Sequence, residues 1–96
     1  MKYIIEKKCF LNIATFFINV AKKYKHTYSS ELMHKNMDEA IDGIYQIEKE
    51  LLRRKPTIKR WQDCHMANTD RWYYAYKIDD DTITVVDACH AQNMHD

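Results

Sequence analysis

Histidine and arginine residues gather in the second half of the chain, beside short runs of aromatic and β-branched residues that predict strands. His65, His90 and Arg71 lie at the ends of these runs. Histidine titrates near neutral pH and can act as a general acid or base, and arginine binds phosphate through paired hydrogen bonds. Such groups could cleave RNA without a metal: a base takes the 2′-hydroxyl proton, a cation holds the phosphate and an acid protonates the leaving oxygen.

The same chemistry needs side chains that hold and orient the substrate. A tyrosine hydroxyl could position a base or donate a proton, and unpaired bases stack on aromatic rings for about 1–3 kcal/mol each. The alternative interpretation is a solvated basic edge beside core aromatics. The candidate catalytic residues are His65, His90, Arg71, Tyr73 and Tyr76, and the candidate substrate-binding residues are Lys55, Lys59, Arg60, Trp61 and Gln92.

Cysteine and histidine are neighbours twice, as Cys64-His65 and Cys89-His90. Zinc binds both side chains in tetrahedral sites, but adjacent residues of a strand point to opposite faces of the sheet, so neither pair easily chelates one ion. The three cysteines match no zinc-knuckle spacing, and an odd number is typical of free thiols in a reducing cytoplasm. We therefore predict no metal and no cofactor.

Two acidic features have simpler interpretations than a cation site. Residues 79–81 are three consecutive aspartates between two predicted strands, which is typical of a hairpin turn. Asp87 lies within an apolar strand, where a carboxylate needs partners. It could orient a histidine or an arginine, but a satisfied buried hydrogen bond is the favoured interpretation.

Length and composition limit the class of protein. Ninety-six residues, 46 % of them hydrophobic, suit one domain over residues 1–96 with one real core. No apolar run approaches the roughly 18 residues of a membrane span, and the first residues lack a secretory pattern. We expect a soluble, cytoplasmic protein. The formal net charge of +1 gives no global electrostatic argument for nucleic-acid binding, so any such argument depends on local clustering.

The apolar spacing predicts the elements that position these residues. A strand over residues 2–7 precedes a helix over residues 10–24. A second helix begins at a capping box at Asn36, or earlier at Ser30, and ends at Pro56. Strands are predicted over residues 57–66, 71–78 and 82–90. The order is β-α-α-β-β-β, and the fold class is α+β, with an antiparallel sheet packed against a pair of N-terminal helices.

This order resembles the toxins of the RelE/ParE superfamily from bacterial toxin–antitoxin modules, over nearly the whole chain. The segment 44–56, with its Leu-rich end and its proline, is similar to the second helix of the family. The segment 73–79, Tyr-Tyr-Ala-Tyr-Lys-Ile-Asp, resembles its R-x-x-Y-R-x-D strand and turn, and the segment 83–92 resembles its last strand and His-bearing tail. Tyr73 takes the place of the family's strand arginine, whereas Arg71 lies two residues earlier, on the same face.

The resemblance implies a toxin that acts as an endoribonuclease on ribosome-bound mRNA and is bound by a cognate antitoxin. His65 or His90 would be the general base or acid, and Arg60 and Arg71 would hold the phosphate with help from Lys59. The near-neutral charge favours the alternative, a non-catalytic protein of the same fold. That protein would inhibit DNA gyrase or be an inactive toxin descendant that still binds an antitoxin.

Three apolar residues lie outside the predicted core stripes. Leu11 and Ile18 are seven residues apart on the first helix, and Leu32 lies near the start of the second. Exposed apolar residues tend to mark interfaces, so we predict that all three are at least partly exposed. They would contact an antitoxin, or a second subunit in a homodimer.

Overall fold

Two helices pack on one face of a five-stranded sheet in the computed structural model, which describes residues 1–51 and 53–96. The predicted α+β class is confirmed. In chain order the elements are β1 Lys2–Ile5, α1 Lys7–Lys23, α2 Ser30–Ile44, β2 Arg53–Arg54, β3 His65–Asn68, β4 Trp72–Asp79 and β5 Thr82–His90, with short 3-10 helices at Lys59–Trp61 and Ala91–Asn93.

The sheet is mixed, whereas the sequence predicted an antiparallel one. Its strand order is β1-β5-β4-β3-β2, and β1 runs parallel to β5 while the other neighbours are antiparallel. A parallel pair needs a long crossover connection, and here everything from α1 to β4 lies between the two strands. Such a long-range pairing leaves no signature in local periodicity, which is why the prediction was wrong at this edge.

α2 begins and ends earlier than its apolar spacing predicted. Ser29 caps it by accepting a hydrogen bond from the Leu32 N–H at 3.1 Å, so the earlier predicted start is correct and the Asn36 start is wrong. The helix ends at Ile44, not at Pro56, and turns follow through Glu50. The hydroxyl of Tyr3 donates to the Tyr45 carbonyl and accepts from the Glu48 N–H, so a strand far away in sequence satisfies the backbone beyond the helix end.

The predicted strand over residues 57–66 is largely wrong. A 3-10 helix occupies Lys59–Trp61 and β3 starts only at His65. Trp61 turns inward and is only 2 % exposed. This segment covers the face of the sheet opposite the helices, in a second apolar cluster of Ile58, Trp61, Met66, Ala75 and Cys89.

A β-bulge in β5 decides which face its last residues occupy. Ala75 of β4 lies opposite Asp87 while Tyr76 lies opposite Val85, so Val86 is an extra residue. Before the bulge, Val85 belongs to the helix-side core; after it, Ala88 does, three residues later. The alternation is thereby shifted by one residue over the end of β5, where His90 lies.

At Gly43, α2 lies close to the sheet. A Cβ at this position would lie 2.5 Å from the Tyr74 hydroxyl oxygen and 3.0 Å from a Thr69 methyl carbon. The Tyr74 hydroxyl donates to the Ala40 carbonyl. The close partner of α2 at this glycine is therefore strand β4 with the loop before it.

The predicted exposure of three apolar residues is confirmed: Leu11, Ile18 and Leu32 are 55 %, 46 % and 41 % exposed. Among the described residues, no helix has both the length and the apolarity needed to cross a membrane.

Candidate anion-binding cleft beside Asp87

A buried carboxylate joins three elements at the end of β5. Asp87 is 4 % exposed. Its oxygens accept hydrogen bonds from the Asn12 side-chain amide at 2.7 Å, the Trp61 indole N–H at 2.8 Å and the Ala88 N–H at 2.9 Å. The sequence prediction of a satisfied buried carboxylate is confirmed. Because β1 pairs only as far as Val85, this part of β5 has no strand neighbour on that side and can receive α1 and the 3-10 helix instead.

Two cations lie against the same carboxylate. The Lys8 ammonium is 3.5 Å from an Asp87 oxygen, and the Arg60 Nε is 3.9 Å from the same oxygen. Both cationic side chains remain about half exposed or more, at 61 % and 47 %. Arg60 also donates from Nη2 to the Cys89 sulfur at 3.4 Å. Asp87 therefore fixes where the two positive groups stand while leaving them accessible to solvent.

These groups line a cleft of about 300 Å³, here called the Asp87 cleft. One wall is the polar side of α1 and the other is the end of β5 with the 3-10 helices. Side-chain amides from both walls face it, in addition to the cations. Its lining residues are Lys8, Asn12, Thr15, Phe16, Asn19, Arg60, Trp72, Asp87, Ala88, Cys89, His90 and Asn93.

His90 closes one end of this cleft. Its ring stacks on Phe16, with 4.0 Å between centroids and a 9° angle between planes, and meets Trp72 edge-on. The Gln92 N–H donates to His90 Nδ1 at 3.1 Å, so the proton of the neutral ring is on Nε2. Burial lowers the pKa of His90, and the Arg71 charge lowers it further. The imidazole is thus neutral at neutral pH and offers an N–H.

The arrangement suits an anionic oxygen. Guanidinium, ammonium, amide and imidazole N–H groups are all donors, and two of them carry charge. Lys8, Arg60 and Asp87 together have a charge of +1, so the cleft attracts an anion without being strongly basic. His90 can act as a general base only after Nδ1 leaves the Gln92 N–H, because Nε2 already carries the proton.

The two histidines predicted as alternative general bases or acids are far apart. His65 pairs with Tyr76 across β3 and β4, whereas His90 pairs with Trp72. Four residues of β4 separate these positions, which is roughly 13 Å at the rise of a strand. His65 is exposed and its ring lies 5.4 Å from that of Tyr76. The structure therefore places only one of the two imidazoles at the cleft.

The two tyrosines predicted to be catalytic are both shielded from solvent, Tyr76 fully and Tyr73 partly. Tyr76 is fully buried on the helix side, and its hydroxyl has no hydrogen-bond partner among the described residues. Burial raises its pKa. Tyr73 is half-buried against the opposite apolar cluster. Neither lines the Asp87 cleft.

The remaining predicted residues divide between the cleft and other surfaces. Arg60 lines the cleft, and Gln92 contacts it through His90. Trp61 is buried as the donor to Asp87 and offers no face for stacking a base. Lys55 and Lys59 are exposed outside the cleft, and the Lys59 N–H donates to the Asp96 carboxylate at 2.7 Å.

Sequence reasoning missed the contribution of α1. Lys8, Asn12, Thr15 and Asn19 recur at three- and four-residue spacing, which places them on one side of a helix. A polar stripe beside the apolar stripe of the same helix is a sequence signal from which this wall of the cleft could have been predicted. Nothing in the sequence, however, indicated that it would face Arg60.

A second, larger cleft of about 520 Å³ lies on the other side of His90, between α2 and the β3–β4 loop. We call it the acidic cleft, because Glu39, Asp42 and Asp70 line it. It shares Trp72 and His90 with the Asp87 cleft, and Arg71 is its cation. Its other lining residues are Phe17, Asn36, Ala40, Gly43, Gln46 and Thr69.

Across residues 1–51 and 53–96, no three His, Cys, Asp or Glu side chains are grouped closely enough to hold a metal ion. The three cysteines are free thiols, and burial raises the pKa of each, to about 12 for Cys9. Comparison of the chain with models of protein families, with curated proteins and with solved structures found no match.

Proposed function

We propose that the chain binds the phosphate backbone of RNA in the Asp87 cleft, as a RelE/ParE-like toxin. The observation that supports this most directly is the pair Lys8 and Arg60, held 3.5 and 3.9 Å from one buried carboxylate oxygen with their charged heads still accessible. Cations that are already positioned lose less conformational freedom when a phosphate binds than mobile surface lysines do.

The donors around the pair fit a phosphodiester. The Nε2–H of neutral His90 and the amides of Asn19 and Asn93 could reach phosphate and sugar oxygens without adding charge. The choice of RNA over other polyanions, and of ribosome-bound mRNA in particular, comes from the sequence resemblance. A helix pair on one face of a sheet, followed by strands β3 to β5, agrees with that resemblance at the level of fold class.

Cleavage is the further step of this proposal. His90 is neutral at neutral pH and lines the same cleft as two cations, and a metal-free ribonuclease requires a neutral base and cations near the phosphate. To accept a 2′-hydroxyl proton, His90 would first release the Gln92 N–H. Nδ1 is then a free acceptor, or it takes the ring proton so that Nε2 becomes the acceptor. Lys8 or Arg60 would then stabilise the negative charge that develops on the phosphate. As the 2′-oxygen bonds to phosphorus, the bond from phosphorus to the 5′-oxygen breaks, and the 5′-oxygen takes a proton from water.

Binding without cleavage is the second candidate function. Two observations favour it: His65 lies roughly 13 Å from His90 along the sheet, and the His90 ring is held by Phe16 and Gln92 in the tautomer of a donor. In this version the protein inhibits DNA gyrase, or binds an antitoxin without being active.

RNA binding is tested by fluorescence anisotropy with a labelled single-stranded RNA. Arg60→Gln and Lys8→Gln should each weaken binding about threefold to tenfold, and each should reduce the slope of log affinity against log salt by about one. The matched control is Lys35→Gln, which removes an exposed lysine on α2 that does not line the cleft. Equal losses in all three variants would mean that binding is non-specific and does not use this cleft.

Cleavage is tested by controlled expression in a bacterium, with mapping of mRNA ends. Growth arrest with new mRNA ends, both lost in His90→Gln, would support the endoribonuclease. Growth arrest with DNA damage and intact mRNA would select gyrase inhibition. If the wild-type chain neither arrests growth nor changes mRNA, an active toxin is excluded. Rescue of growth on co-expression of a candidate antitoxin, with co-purification, would establish a toxin–antitoxin pair.

A further inference from the structure

The outward surfaces of the two helices carry opposite charge. α1 has four exposed lysines, Lys7, Lys8, Lys22 and Lys23, and no acidic residue over Lys7–Lys23. α2 has four exposed carboxylates, Glu31, Asp38, Glu39 and Asp42, against the single cation Lys35. The two helices pack against each other and are joined by only six residues, as in an antiparallel helix hairpin. Their outer face is therefore positive on one half and negative on the other.

Seven of these eight charged side chains form no ion pair with the described residues of the same subunit. Within the part of the chain that the structure describes, Lys8 with Asp87 is the one ion pair formed by any of these eight side chains. Lys7, Lys22 and Lys23 lie toward the ends of α1, and Asp38 and Asp42 lie toward the end of α2. All five side chains are exposed, so another molecule can reach their charged groups; the Lys23 ammonium also lies 5.5 Å from the centre of the Tyr24 ring.

Apolar residues lie among the charges. Leu11 and Ile18 are two helical turns apart on the side of α1 away from the core residue Ile13, and they are 55 % and 46 % exposed. On α2, Leu32 is 41 % exposed, and Tyr45, which caps the helix, is 56 % exposed. An exposed apolar surface with charged residues around it is typical of an interface.

We propose that this helix face binds a second copy of the chain, forming a two-fold symmetric dimer. In this dimer the outer faces of two helix hairpins meet, and the two-fold axis lies between them, parallel to the helices. The rotation places α1 of each subunit opposite α2 of the other. The partner helices then run antiparallel, so that lysines meet carboxylates in both halves of the interface. A face that is half positive and half negative is complementary to itself under this rotation.

The size of the face predicts a weak dimer. A 17-residue helix is about 25 Å long, and two packed helices are about 20 Å wide, so the footprint is roughly 500 Å² per subunit. The total of roughly 1,000 Å² is at the lower limit of specific interfaces. Charge complementarity therefore has to contribute a large share of the affinity, and the dimer should dissociate as salt screens it.

Sedimentation equilibrium of the whole chain tests this at two ionic strengths, about 0.01 M and about 1 M, where the Debye length is about 30 Å and 3 Å. We expect a monomer–dimer equilibrium at low salt whose dissociation constant rises at least tenfold at high salt. A wild-type chain that remains monomeric at both ionic strengths would overturn the proposal and leave the α1 surface for an antitoxin.

Two charge-reversal variants locate the interface. The first, Lys7→Glu with Lys22→Glu, removes the net positive charge of α1, because the two glutamates balance Lys8 and Lys23; the second, Asp38→Lys with Asp42→Lys, makes α2 positive as well as α1. Neither pair includes a residue of the Asp87 cleft, and all four side chains are exposed, so circular dichroism should show an unchanged fold. Each variant alone should be monomeric, whereas an equimolar mixture should form a heterodimer, because α2 of the first variant and α1 of the second keep opposite charge.

Mixing the two variants tests whether the outer face of the two helices forms the interface. Dimers that persist in both single variants would place the interface elsewhere and refute the proposal, as would a mixture that stays monomeric. Because these variants leave Lys8, Arg60 and His90 unchanged, RNA binding should be retained in at least the lysine-rich variant. A failure of RNA binding is thereby distinguishable from a failure of dimerisation.

Discussion

The Asp87 cleft and the acidic cleft share a wall of Trp72 and His90 but differ in how their charges are held. Asp87 is buried, accepts three hydrogen bonds and fixes two cations. In the acidic cleft, Glu39, Asp42 and Asp70 are exposed and form no ion pair among the described residues. The comparison indicates how this fold positions charge: the Asp87 carboxylate is buried, and the two cations that it holds stay exposed.

The largest effect should come from removing the buried carboxylate. Asp87→Ala leaves the Trp61 indole N–H and the Asn12 amide without their acceptor and Lys8 and Arg60 without their counter-ion. We expect the free energy of unfolding in urea to fall by roughly 3 kcal/mol or more. Asp70→Ala, in the other cleft, is the matched control and should change it by less than about 0.5 kcal/mol. Similar losses in the two variants would contradict the comparison.

A smaller loss of stability should follow from adding a side chain at Gly43, which lines the acidic cleft. Gly43→Ala would normally stabilise a helix by about 1 kcal/mol, but the new Cβ would lie 2.5 Å from the Tyr74 hydroxyl oxygen. We expect a net loss of about 1–3 kcal/mol. Adding Tyr74→Phe removes the clashing oxygen and should recover most of the loss. If Gly43→Ala alone stabilises the protein, the close contact is not maintained in solution.

RNA affinity should respond differently to substitutions in the two clefts. Arg60→Gln should weaken binding of single-stranded RNA about threefold to tenfold, whereas Asp70→Asn should leave it unchanged or slightly strengthen it, because it removes a nearby negative charge. Anisotropy titrations at one fixed ionic strength make this comparison. A loss of similar size in Asp70→Asn would mean that the acidic cleft also contacts RNA.

The smallest effect should be the pH dependence that His90 contributes. Its pKa in the folded protein is below the ordinary 6.5 because of burial and Arg71. The neutral form therefore stabilises the fold fully above about pH 6.5, and this contribution is lost as pH falls and the unfolded chain takes up the proton first. Urea unfolding of wild type and His90→Gln between about pH 7.5 and 5 should show a shallower decline in the variant. If stability declines equally in both proteins, titratable groups other than His90 cause the pH dependence.

Local sequence signals predicted much of the structure. Helical stripes gave α1 and the core of α2, the aspartates at 79–81 marked the β4–β5 turn, and the exposure of Leu11, Ile18 and Leu32 followed from their positions off the stripes. A lone carboxylate among apolar residues also predicted that Asp87 would have partners. Each of these depends on residues close in sequence and on the repeat of a helix or strand.

Tertiary structure decided which of the predicted site residues meet. Aromatic alternation in β4 could not show that Tyr76 is inaccessible, because both faces of this strand are covered, one by the helices and the other by the second cluster. The bulge at Val86, the parallel pairing of β1 and the inward turn of Trp61 each join segments far apart in the chain.

The sequence by itself thus determined the residue types, the helix and strand patterns and the need of Asp87 for partners. Only the tertiary structure decided that Lys8 and Asn12 of α1 would supply them together with Arg60 and Trp61, and that His90 rather than His65 would lie beside them. The physical reason is that local periodicity sets which face of an element a side chain occupies. The long-range pairing of strands and the burial of side chains set which faces come together.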